Sequence, residues 1–240
     1  IPLDILYAES HDSGEVGSIW MKHHEAFATF IGQYAPKDIL EIGGAHGILS
    51  KLYQTNSENI DWTIIEPNPI PVNGVKAQFI KGFFSEEFVF NKPIDAIIHS
   101  HVFEHIYDPN KFIQHISNFL DDGKYLIFSL PNMKEMLANK YTNCINFEHT
   151  VFLTEPYIEY LLCKYSFRVL RREYFLDDHS IFYACIRDTT VLSTNLPFGL
   201  YEQNKRIYEE YVAYHKDLIF NLNAKIIELN IKQKVYLFGA

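Results

Sequence analysis

Three short stretches of the 240-residue sequence hold residue types that can do chemistry. The first is Glu41-Ile-Gly43-Gly44-Ala45-His46-Gly47. Small residues at 43, 45 and 47 let the backbone turn tightly and approach a ligand without interference from a Cβ. A helix starting after Gly47 would offer unpaired N–H groups to an anionic ligand. Glu66 ends the next apolar run, where an acidic side chain can accept both hydroxyls of a ribose. Glu41, Gly43, Gly47 and Glu66 thus converge on a nucleoside-containing cofactor. The second stretch, His101-Val-Phe-Glu104-His105, matches the inverted zinc-protease pattern H-x-x-E-H. On a helix the two histidines could share a Zn²⁺ with Glu104 as base. That chemistry expects a long helix and a further ligand. Here His101 follows a strand directly and Pro109 soon opens another helix, so no metal is expected. The third stretch is Asn146-Phe147-Glu148-His149-Thr150, whose histidine is suited to take a proton near neutral pH.

The surrounding pattern says what must position these residues. Gly14 to Tyr34 has helical spacing through Val16, Ile19, Trp20, His23, Phe27, Phe30 and Ile31. Short apolar runs at 38–43, 62–67, 78–82, 95–100 and 124–130 read as strands. Helices are expected at 47–53, 109–120 and 154–165, with Pro109 and Pro156 in first turns. Strands alternating with helices imply βαβ units and a mainly parallel sheet covered on both faces. Residues 168–175 and 180–186 read as a hairpin that closes the sheet with an antiparallel strand. The expected fold class is α/β, a Rossmann-like seven-stranded, mostly parallel sheet with an N-terminal helix and a long C-terminal helix over 200–231. That helix packs across the sheet or serves an interface, and its face is offered for a homodimer. Domain expectations are a helical lid over 1–35, a cofactor-binding domain over 36–188, and a long helix plus a final strand over 189–240.

Composition removes several classes. With 21 Lys+Arg against 30 Asp+Glu the formal charge is −9, and a nucleic-acid binder would need a basic face. Cys144, Cys163 and Cys185 lack C-x-x-C spacing, so a disulfide framework is not expected and a reducing, cytoplasmic setting fits. No apolar run approaches the ~18 residues of a membrane span. His23-His24 reads as a solvated pair. Arg168, Arg171 and Arg172 read as surface charge, with a phosphate site at a sheet edge as the alternative.

The dinucleotide fingerprint G-x-G-x-x-G fits the loop poorly, whereas (Asp/Glu)-x-Gly-x-(Gly/Ala)-x-Gly fits Glu41, Gly43, Ala45 and Gly47. Over at least Ile39–Pro131 the sequence resembles the class I S-adenosylmethionine-dependent methyltransferases. The resemblance implies S-adenosylmethionine as cofactor. The Gly43–Gly47 loop, with Gly44 and Ala45, would pass its methionine part, and Glu66 with Pro67 would border its ribose. Gly82-Phe83-Phe84 would border the adenine, and His99-Ser100-His101 would line the methionine and the transferred methyl. His149 would be the general base, with Glu148 orienting it or binding substrate. His105 and His101 are further candidates. Tyr141 and Phe147 are candidates for the wall of the substrate pocket.

The larger layout is similar to the sugar C-methyltransferases. It shares the Tyr7, Ser10 and Ser13 stretch, the Glu148-His149 pair, His179-Ser180, the long helix, and a strand ending in Gly239-Ala240. Where that family reads Tyr-His-Glu-His, this chain has Asn146-Phe147-Glu148-His149, and the cysteine zinc module is absent. The expected reaction is therefore methyl transfer to a hydroxyl of a sugar, a nucleotide-linked sugar or a surface glycan. C- or N-methylation of such a sugar, a non-catalytic nucleoside-binding subunit and an NAD-dependent enzyme are the alternatives. The final strand suggests the start of a second nucleotide-fold-like domain, so the chain is expected to be a piece of a longer protein.

Overall fold

The computed structural model describes Ile5, residues 17–146 and residues 148–236. Tyr7, Ser10, Ser13, Phe147 and the Gly239-Ala240 strand end lie outside the described residues. The elements follow as α1 (Ser18–Gly32), β1 (Asp38–Ile42), α2 (Ile48–Thr55), β2 (Asp61–Glu66), β3 (Gln78–Lys81) and β4 (Ala96–Ser100). Then come a 3₁₀ turn at Phe103–His105, α3 (Pro109–Phe119), β5 (Tyr125–Pro131), α4 (Met133–Ala138), α5 (Glu155–Lys164), β6 (Phe167–Phe175), β7 (Ser180–Arg187) and α6 (Leu200–Lys232). The 3₁₀ turn and α4 are additions to the sequence reading. Both are too short to show a helical period.

One unit contains everything described up to Asn132 together with Asn146–Leu196. Its strands form one seven-stranded sheet in the order β3-β2-β1-β4-β5-β7-β6. Pairing is parallel from β3 to β5, and β7 runs antiparallel to both β5 and β6. Successive side chains of a strand point to opposite faces, and each face is closed by its own helices. Leu126, Phe128 and Leu130 of β5 join Phe112, Ile113 and Ile116 of α3 and Ile158, Leu161 and Leu162 of α5. Ile127 between them joins the opposite cluster, with Phe27, Phe30 and Ile31 of α1, Leu49 and Tyr53 of α2, and Trp62. α3 starts as Pro109 requires: Asp108 caps it by accepting from the Lys111 N–H at 3.0 Å.

The three arginines of β6 are all paired. Arg168 meets Asp188, Arg171 meets Glu173, and Arg172 bridges Glu155 and Glu159. They stand as surface ion pairs.

The second unit contains Met133–Ile145 and the chain from Pro197 onward. The sequence reading kept Met133–Ile145 with the sheet domain, but the segment packs on α6. The Tyr211 hydroxyl donates to the Tyr141 carbonyl at 2.8 Å, and Cys144 lies buried with its thiol toward the Met133 sulfur. Tyr141, expected at a substrate pocket, is placed in this unit. Leaving Gly199, α6 exposes Ile219, Phe220, Leu222, Ile227 and Ile231. Among the described residues no helix is long and apolar enough to cross a membrane.

Candidate functional site

The chain leaves β1 and β4, adjacent central strands, in opposite directions. At such a reversal the carboxyl ends of the strands leave a crevice. A cavity of about 570 Å³ occupies it, a size typical of small-molecule sites. The wall includes Glu41, Gly43, Gly44 and Ala45 after β1, Glu66 and Pro67 after β2, Gly82 and Phe83 after β3, and Ser100 and His101 after β4. His105 and Glu148 also line it, with Trp20 and His24 of α1.

The glycine loop is built against its surroundings. Gly43 has φ +70°, and a Cβ there would sit 2.6 Å from Val102 Cγ2. A Cβ at Gly44 would fall 2.6 Å from the Glu41 carboxyl carbon and 2.8 Å from Ile64 Cγ2. Glu41 therefore lies under the loop. It is 2 % exposed, and its Oε2 accepts from the Trp62 indole N–H at 2.8 Å. Burial pushes its carboxyl up to about 8, opposed by the indole bond and reinforced by Glu66. Glu66 holds the loop from the other side. Its Oε2 accepts from the Ala45 N–H at 3.1 Å and its Oε1 from the Asn68 N–H at 3.2 Å. Gly47 is placed differently from expectation. It is the left-handed residue before α2, φ +74°, and its α-carbon faces Val75 and Phe79, not the cavity.

The β4 end departs from the reading of its three residues as one lining. Ser100 and His101 are on the wall, but His99 is fully buried and stacks on Phe128 at 4.9 Å. Strand alternation turns it into the core, and burial holds its imidazole down to about 3. His101 sits at φ +53°. Its Nδ1 is 3.2 Å from Glu104 Oε1 and its Nε2 is 2.9 Å from Ser180 Oγ, which lies 2.6 Å from His179 Nδ1. Burial and neighbouring imidazoles keep His101 well below the usual histidine range. His23, read from sequence as half of a solvated pair, is fully buried. Its ring lies 5.0 Å from that of His101 and 5.2 Å from that of Phe182.

Further along the wall, His105 Nδ1 is 3.0 Å from the Glu148 carbonyl oxygen. A carbonyl only accepts, so Nδ1 carries the proton and Nε2 of the neutral ring the lone pair. The His149 ring lies 5.3 Å from that of His105, and its backbone N–H donates to Asn146 Oδ1. His149 is not on the described cavity wall; His105 stands there instead. Glu104 is 3 % exposed, and burial raises its carboxyl. Trp20, His24 and Glu104 were not among the expected site residues. Trp20 and His24 share one face of α1 at i, i+4, a spacing visible in the sequence.

The site fits S-adenosylmethionine on these observations. The loop leaves no room for a side chain at Gly43 or Gly44, a carboxylate ends β2, and one cavity is lined by both that carboxylate and His105. The profile of the methyltransferase-domain family matches residues 19–171, the larger part of the chain. No curated protein matches it in sequence. The plantazolicin methyltransferase BpumL, solved with a desmethylPZN analogue and SAH, superposes with TM-score 0.57 at 14 % identity, covering 70 % of this chain and 84 % of that one. Magnesium protoporphyrin IX methyltransferase (ChlM) from Synechocystis PCC 6803, with bound SAH, gives 0.54 at 13 %, covering 78 % and 93 %. The mitomycin 7-O-methyltransferase MmcR gives 0.57 at 15 %, covering 77 % and 62 %. These likenesses are of fold. The family match over the larger part of the chain establishes that it belongs to the methyltransferase-domain family.

Proposed function

We propose that this methyltransferase moves the methyl group of S-adenosylmethionine to a hydroxyl of a small, polar, sugar-type acceptor. The observation that carries the reading is the shared cavity: the glycine loop and Glu66 line it together with His105, Glu148 and His101. Glu66 and Pro67 would hold the ribose, Gly82 and Phe83 the adenine, and Gly43 to Ala45 with Ser100 the methionine part. Bound there, the sulfonium supplies an electrophilic methyl group.

The protein's own contribution is alignment and removal of one proton. Holding two reactants in line accounts for the larger share of such a rate enhancement. A hydroxyl that accepts a methyl group must give up its proton. His105 Nε2 receives it, because its Nδ1–H is tied to the Glu148 carbonyl and the ring stands on the wall. His149, the base expected from sequence, packs on His105 and positions it. Glu148 contacts the acceptor.

A screen with methyl-labelled donor against sugars and nucleotide-linked sugars, with the product methyl located by mass spectrometry, tests this reading. Label on a carbohydrate oxygen is expected. Label on carbon or nitrogen would replace hydroxyl transfer by the C- or N-methyl alternative. Tight binding of SAH without transfer to any acceptor in a cell extract would mark a non-catalytic subunit.

A further inference from the structure

Among the described residues, Glu104, His105 and His149 are the one group of three His, Cys, Asp or Glu side chains whose ligand atoms all lie within 4.8 Å of one another. We propose that they form a binding site for a divalent d-block cation of the zinc type. Three features of the site support this beyond proximity.

The first is an unsatisfied acid. Glu104 is 3 % exposed, its Oε1 faces His101 Nδ1 at 3.2 Å and His105 Nε2 at 3.9 Å, and its Oε2 has no hydrogen-bond partner among the described residues. Ionised, that buried oxygen lacks a donor; protonated, it lacks an acceptor. A cation satisfies it, and buried carboxylates are held in such company. The second is the His105 tautomer. A metal-bound imidazole usually donates its other N–H to a carbonyl or carboxylate. The bond from Nδ1 to the Glu148 carbonyl leaves Nε2 as the ligand atom, on the side facing Glu104. The third is the donor set. Two imidazole nitrogens and one carboxylate suit zinc and its neighbours rather than Mg²⁺ or Ca²⁺, which take oxygen. Such a set leaves a fourth position open, and one of its members, His105, is on the cavity wall. Tetrahedral bonds of ~2.0–2.1 Å put ligand atoms about 3.4 Å apart.

This site differs from the H-x-x-E-H arrangement. There the two histidines of one helix bind and the Glu acts as base. Here residues 103–105 form a 3₁₀ turn, Glu104 is itself a ligand, and His149 comes from a later loop. The consequence for activity rests on the functional reading above. A cation on His105 Nε2 occupies the lone pair that takes the acceptor's proton, so loading would silence transfer while leaving the donor's end of the cavity unchanged.

The test uses the full chain, stripped with EDTA and desalted. Zn²⁺ is titrated by calorimetry and Co²⁺ by its visible absorption. One ion per chain is expected, at a Kd of about 1 μM or tighter. Glu104→Gln and His149→Ala should each weaken it at least about tenfold, while His215→Ala on α6 should not. Each variant's SAH titration reports that it has folded. Zn²⁺ binding weaker than about 1 mM, or equally tight in both ligand variants, would overturn the site. Bound Zn²⁺ should suppress methyl transfer, and EDTA should restore it. If zinc binds as expected and transfer is unaffected, the cation site stands and the assignment of His105 as base falls. If transfer is intact and zinc does not bind, the cation site alone falls.

Discussion

The Nδ1 of His105 lies 3.0 Å from the backbone carbonyl oxygen of Glu148, so the residue before His149 fixes the tautomer of a histidine far back in the chain. That contact separates two imidazoles that the sequence left as rival bases. General-base catalysis contributes about 10²–10⁴-fold. In metal-free protein, His105→Gln should therefore lower kcat by that factor with little change in SAH affinity. His149→Ala should cost less than about tenfold, because it removes only the packing that steadies His105. Steady-state kinetics on the two variants, beside SAH titrations, check this. The reverse ranking would return the base role to His149.

Glu66 couples the glycine loop to the end of β2 through the Ala45 N–H. In the donor complex the same carboxylate is proposed to accept the ribose hydroxyls. Hydrogen bonds to a charged group are worth about 1.5–3 kcal/mol each. Glu66→Ala should raise the Kd for SAH by about 10–100-fold. Glu66→Gln, which retains one acceptor oxygen, should fall between it and the parent. Calorimetry with SAH reads both, and an unchanged Kd in Glu66→Ala would remove Glu66 from the donor site.

The two central glycines should fail for different reasons. At Gly43 an added methyl meets only the Val102 side chain, whereas at Gly44 it meets Glu41 and Ile64 together. Gly43→Ala should cost about 1–3 kcal/mol from overpacking and its positive φ. Val102→Ala should recover part of that, leaving the cost of the left-handed backbone. For Gly44→Ala no single truncation should help, since both neighbours are buried under the loop. Urea unfolding of the single variants and the Gly43→Ala/Val102→Ala pair gives the coupling directly.

The sheet was legible because strands and helices here have clean periods. Ile97 and Ile98, or Leu126 and Ile127, go to opposite faces as a strand requires. Glu41, Gly43, Ala45 and Glu66 were legible because loop chemistry and strand ends are local. The proposed acceptor end was legible only in part: His101, His105 and Glu148 were named, Trp20 and His24 were not. It is assembled from α1, the turn after β4 and the segment before α5, which only the folded sheet brings together. His23 shows the limit at one residue. Beside His24 it looked solvated, but it shares the i, i+4, i+7 stripe of Phe27 and Phe30, and that stripe faces the core. Nor could H-x-x-E-H reveal that Glu104 would be buried, because the 3₁₀ turn that buries it has no sequence period.

Glu41 makes stability depend on pH in a window that can be isolated. Its carboxyl is raised from 4.5 to about 8 by burial, so the folded protein keeps a proton that the unfolded chain releases. Wherever the unfolded state binds fewer protons, stability falls as pH rises. The loss therefore runs from about pH 4.5, where the unfolded carboxyl ionises, to about 8, where the folded one does, and then levels. His23 acts in the opposite direction: burial and its histidine neighbours lower it, so stability is lost as pH falls below 6.5. Comparing the protein with Glu41→Gln cancels His23 and every other shared group. The variant keeps an oxygen for the Trp62 indole but cannot ionise. Its stability relative to the parent should rise by about 2–4 kcal/mol between the two ends of that window. Urea unfolding at intervals from about pH 5 to about pH 8.5 measures the difference. A flat difference would mean that Glu41 ionises in the folded protein as it does in the unfolded chain.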